Sequence, residues 1–114
     1  MVFIQTIEDL NNITENDIKL IFSPYFNQKV IIPQFIQILK LGDKFNQEII
    51  IPNSVQILKF GENFNQKIII PKTVNTFYYS YYNYSNNFTI LNSNHLQYKH
   101  DALIDYYNNT IIVS

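Results

Sequence analysis

The sequence predicts a mainly β protein, a short solenoid of about four 19-residue coils with a parallel strand stack and irregular or short helical caps at both ends. Two stretches carry that reading. Pro33–Ile51 (PQFIQILKLGDKFNQEIII) and Pro52–Ile70 (PNSVQILKFGENFNQKIII) match at 12 of 19 positions, and Ile36/Val55, Leu41/Phe60 and Asp43/Glu62 keep their chemistry. A period near twenty, rich in Leu, Ile and Phe with an Asn at a fixed place, is the mark of stacked coils. A single coil cannot bury its own apolar side, whereas stacked coils cover each other's rims and pair their strands at roughly 4.8 Å.

Residues 1–13 do not fit the period and are expected to cap the first coil as a strand and turn or a weak helix. Thr14-Glu-Asn-Asp17 has the hydroxyl and carboxylate of a helix start, with Ser23-Pro24 to stop the helix. The same segment is a degenerate repeat, because Leu20, Phe22, Phe26, Asn27, Gln28, Ile31 and Ile32 stand one full period ahead of Leu39, Leu41, Phe45, Asn46, Gln47, Ile50 and Ile51. The coils therefore run over 14–32, 33–51, 52–70 and 71–89, within one domain covering 1–114.

In a full coil, Val55, Leu58 and Phe60 are expected to face the core and Gln56, Ile57 and Lys59 the outside. Gly42 and Gly61 turn the chain, with positive φ expected. Phe26, Phe45 and Phe64 re-enter the core. Asn27, Asn46 and Asn65 stand at a corner where a side-chain amide can bond the backbone of its own and the adjacent coil. Ile68–Ile70 makes a second extended segment, and Pro33, Pro52 and Pro71 end such segments because proline has no N–H for a ladder. In the fourth coil Tyr78-Tyr-Ser-Tyr-Tyr-Asn-Tyr84 replaces the turn. Beyond Ile90 a closing cap over 90–114 is expected, with a helix drawing on Leu96, Tyr98, Leu103, Ile104, Tyr106 and Tyr107, then a last strand over Thr110–Val113.

Composition narrows the chemistry. The chain has 114 residues, a net charge of −1, eight lysines, no arginine and no cysteine. That balance gives no electrostatic footprint for nucleic acid or an anionic membrane. The absence of cysteine removes disulfides, thiolate metal sites and cysteine nucleophiles. No basic leader and no apolar run of about 18 residues is present, so an intracellular protein, in the cytoplasm of a host cell, is expected. Asn12, Asn83, Asn87 and Asn108 fit the glycosylation triplet, as chance allows in an Asn-rich chain.

Ile51-Pro-Asn-Ser-Val-Gln-Ile-Leu-Lys-Phe-Gly-Glu-Asn-Phe-Asn-Gln-Lys-Ile68 resembles the FNIP repeat, a leucine-rich-repeat-like unit of social amoebae and giant viruses of amoebae. The motif is fullest over 33–72 and partial over 20–32. The resemblance implies a protein-interaction module, sometimes fused to an F-box that recruits a ubiquitin ligase. The stretch ahead of the first coil motif, 1–19, is too short for an F-box bundle, which argues against carrying the ubiquitin-ligase link to this chain. Its coils are also shorter than is common in the family, so a tighter turn is expected after Gln47 and Gln66.

The expected site is a non-catalytic binding face for an unidentified protein partner, built from Gln37, Ile38, Lys40, Gln56, Ile57, Lys59 and Tyr78 on the outside of the strand stack. Stacking aligns Gln37, Gln56 and Asn75; Ile38, Ile57 and Thr76; and Lys40, Lys59 and Tyr78. Two other readings compete with it: a remnant of a longer array with no ligand, and carbohydrate or peptide binding at the Tyr-rich end. Asp43 and Glu62 on adjacent coils have the spacing of a glycosidase pair, but turn carboxylates without a pocket are the simpler reading. His95 and His100 read as surface residues, and neither enzymatic activity nor a cofactor or metal is expected. Lys29, Glu48 and Lys67 alternate in sign up one stack and serve register more than stability. Open solenoid ends also allow a dimer by edge pairing.

Overall fold

Among the described residues, the first three coils are each built from two short extended segments joined by two tight corners, and these repeat with the period read from the sequence. The computed structural model describes residues 1–79, 88–91, 97–100 and 112–113, with side chains described through Tyr78 and at Thr89 and Leu91. Six parallel strands form the main sheet: β1 (Val2–Ile4), β2 (Lys19–Phe22), β3 (Ile38–Lys40), β4 (Ile57–Lys59), β6 (Thr76–Tyr79) and β8 (Gln97–His100). A second parallel sheet joins β5 (Ile68–Ile70), β7 (Phe88–Ile90) and β9 (Ile112–Val113). Among the described residues one short helix, α1 (Ile7–Asn11), follows β1.

The core lies between the main sheet and the extended segments that face it, which carry Ile32, Ile51, Ile68 and Ile70 inward. Leu20, Leu39, Leu58 and Phe77 face inward on neighbouring strands and are fully buried, as are Ile36, Val55 and Val74. Phenylalanines fill the far corner. The rings of Phe45 and Phe64 are parallel within 4° at 6.1 Å, and Phe60 stacks on Phe64 at 4.0 Å.

Two corners recur. At the proline corner, the carbonyls of Pro33, Pro52 and Pro71 accept hydrogen bonds from the N–H groups of Ile36, Val55 and Val74 at 3.1–3.2 Å. Proline thus opens a turn as well as ending the extended segment before it. At the glycine corner, the carbonyls of Ser23, Gly42 and Gly61 accept from Phe26, Phe45 and Phe64.

Neither glycine takes the positive φ expected of it. Their reason is crowding between coils. A Cβ on Gly42 would stand 2.3 Å from the Ser23 carbonyl oxygen, and one on Gly61 would stand 2.4 Å from that of Gly42.

Two further expectations are corrected. Thr14–Asp17 is a turn and no helix, with Asp17 Oδ2 accepting from the Thr14 N–H at 2.9 Å. The next segment is held as strand β2 by β1 on one side and β3 on the other. The helix begins earlier, at a capping box in which Thr6 and Asp9 bond each other's backbone N–H groups. Tyr98 lies in β8, paired with Phe77 of β6, where a helix was expected. Leu96, Leu103, Ile104, Tyr106 and Tyr107, with Thr110 and residues 80–84 of the tyrosine cluster, lie outside the described residues. The last strand is present as Ile112–Val113.

Candidate functional site

The outer surface of the main sheet is three columns wide, and its width comes from a local irregularity. The Gln37 carbonyl accepts from two adjacent N–H groups, Gln56 at 2.7 Å and Ile57 at 3.1 Å. The Gln56 carbonyl does the same for Asn75 and Thr76, and that of Ile18 for Gln37 and Ile38. Two consecutive residues therefore face outward before alternation resumes, as at a β-bulge. This places Gln56, Ile57 and Lys59 outside while Val55, Leu58 and Phe60 go in.

Strand register aligns the columns as expected. Ile38 pairs with Ile57 and Ile57 with Thr76, while Lys40 pairs with Lys59 and Lys59 with Tyr78. Gln37, Gln56 and Asn75 are exposed, and Ile38, Lys40, Ile57, Lys59, Thr76 and Tyr78 are half-buried among their neighbours. The structure thus brings together the seven residues singled out for this face.

It also adds four. Register extends the columns to Lys19, beside Ile38, and to Ile21 and then Phe3, beside Lys40. Ile18 heads the glutamine column through its carbonyl. Ile18, Lys19 and Ile21 stand one full period ahead of Gln37, Ile38 and Lys40, so the repeat alone pointed to them. Phe3 and Ile18 are 46% and 42% exposed, leaving apolar surface at this end of the face.

Among the described side chains, the strands of this face carry Lys19, Lys40 and Lys59 and no Asp or Glu. Burial, then the neighbouring charges of Lys19 and Lys59, holds Lys40 below the usual lysine pKa. Adjacent like charges on a sheet are destabilising.

The remaining repeat positions are structural. Asn27 Oδ1 accepts from the Asn46 N–H at 2.9 Å, and Asn46 Oδ1 from the Asn65 N–H at 2.8 Å. The Gln47 and Gln66 amides close the same clamp at 3.1 Å on Asn27 Oδ1 and Asn46 Oδ1. Asp43 and Glu62 are exposed turn residues. Among the described residues no group of three or more His, Cys, Asp or Glu is placed to hold a metal, and no helix is long and apolar enough to cross a membrane. His95 lies outside the described residues and His100 in β8.

A family model for the FNIP repeat matches residues 26–51 and 45–82, which spans the Asn clamps, the glycine corners and β3, β4 and β6. The chain belongs to the FNIP repeat family. Its FNIP coils are stacked through the Asn of the motif and the Gln that comes after it. No curated protein and no solved structure matches the chain.

Proposed function

We propose that this FNIP repeat protein is a non-catalytic, intracellular interaction module that binds another protein through the outer face of its main sheet. One observation carries the reading: register stacks Ile38 on Ile57 and Lys40 on Lys59 across an ordered outer face whose near end also exposes Phe3 and Ile18. A partner presenting carboxylates beside apolar groups matches the lysine column and covers Ile38, Ile57, Ile21 and Phe3.

The test is affinity capture with the intact chain and with a Lys40→Glu/Ile57→Ser/Lys59→Glu variant shown by circular dichroism to keep its fold. Proteins held by the intact chain and lost from the variant, with retention weakening as salt rises, are expected. Identical captures by the two chains would remove this face from consideration.

A further inference from the structure

The opposite side of the coils carries a second ordered surface that the proposed binding face does not use. Ile31, Ile50 and Ile69 are 89%, 87% and 62% exposed, although each lies between residues that point toward the core. They occupy equivalent places on successive coils, because the Asn27–Asn46–Asn65 clamps fix the alignment four residues upstream. Two residues before each isoleucine, and on the same side of the extended chain, stand Lys29, Glu48 and Lys67, all exposed. The surface is therefore two parallel columns, one aliphatic and one of alternating charge. Helix α1 borders it with Ile7 and Leu10, and Glu8 is exposed on that helix.

This pattern is complementary to itself. A twofold axis lying along the strand direction, between the coils of Lys29 and Glu48, turns one copy over onto another with the stacks antiparallel. Charged column then meets charged column, and aliphatic column meets aliphatic column. Lys29 faces Glu48 of the second copy and Glu48 faces its Lys29, while Ile31 and Ile50 cover each other in the same way. Lys67 and Ile69 come opposite α1, with its Glu8, Ile7 and Leu10. A surface of one sign, or one without the alternation, would repel itself in this arrangement.

We propose that this face binds the same face of a second copy of the chain, giving an isologous dimer that leaves the main sheet open. Four tiers at about 4.8 Å and five extended residues at about 3.3 Å outline a patch of roughly 300 Å². That is well under the roughly 800 Å² per partner of a standard interface, so the dimer is weak and reversible.

Sedimentation equilibrium of the full chain, from about 10 μM to about 1 mM, tests this. Wild type should shift from monomer to dimer across that range. Glu48→Lys, which places three lysines in one column, should weaken the association by about tenfold or more. Lys29→Glu/Glu48→Lys restores the alternation of the central pairs and should recover the dimer. Circular dichroism checks that both variants remain folded. A monomer throughout, an association indifferent to Glu48→Lys, as pairing through the solenoid ends would be, or a double variant that fails to recover would overturn the proposal.

Discussion

A methyl group on Gly61 would stand within 2.4 Å of the Gly42 carbonyl oxygen and 2.6 Å of the Asp43 Cα, and both are backbone atoms with no rotamer to yield. Gly61→Ala should therefore cost about 1–3 kcal/mol, read as a lower urea midpoint at unchanged slope. Since φ at Gly61 is not positive, a loss of that size would come from the contact between coils alone. This residue was legible as a glycine position and not as a reason. Positive φ is the usual ground for a turn glycine, and the distance between two coils is written in no single coil. Lys40 gives a second prediction at this scale. Its folded pKa lies below the ordinary 10.5, so between the two values the unfolded chain binds more protons and stability rises with pH. Lys40→Met should raise the midpoint at neutral pH and flatten that alkaline rise, as urea titrations from neutral to high pH would record.

Between elements, one side chain does the joining. Asn46 Oδ1 takes both the Asn65 N–H and the Gln66 amide, at 2.8 and 3.1 Å. Asn46→Ala leaves those donors without it and should cost about 1–3 kcal/mol. Asn46→Asp keeps an acceptor there and should cost less, a contrast that thermal or urea unfolding of the two variants resolves. The sequence placed Asn at this corner, but the Gln after it appeared only as a repeated letter. Its role depends on a reach into the preceding coil. Helix placement failed for a related reason. Thr6–Asp9 and Thr14–Asp17 carry nearly the same capping letters, and the pairing available to the next segment decides between them. Lys19–Phe22 finds a strand partner on each side, and pairing outweighs a local cap signal.

Across the molecule, the main sheet advances by one full period at each step from β2 to β6, as Lys19, Ile38, Ile57 and Thr76 succeed one another in register. The step into β2, from Val2 to Leu20, is one residue shorter, and the step out of β6, from Thr76 to Gln97, is two residues longer. Where the step is a full period and the motif complete, the sequence yielded the coils, the buried positions and the columns of the outer face. Where the step changes the period gives less: residues 1–13 stay open between a strand and a weak helix, and Tyr98 of β8 is expected in a helix, although the ladder continues through both. Backbone pairing needs no particular side chain, so it outlasts the motif that announces it. The period also aligns Lys29, Glu48 and Lys67, but the exposure of Ile31, Ile50 and Ile69 beside them is set by the fold.

The Asn clamps also have a polarity. In each described clamp the accepting oxygen belongs to the earlier coil, Asn27 or Asn46, and the donors to the later one. At a synthesis rate of about 5–20 residues per second, each coil leaves the ribosome roughly one to four seconds after its predecessor. The acceptor for every new coil is thus made before the donors that will use it, and growth in the order of translation always adds to a prepared edge.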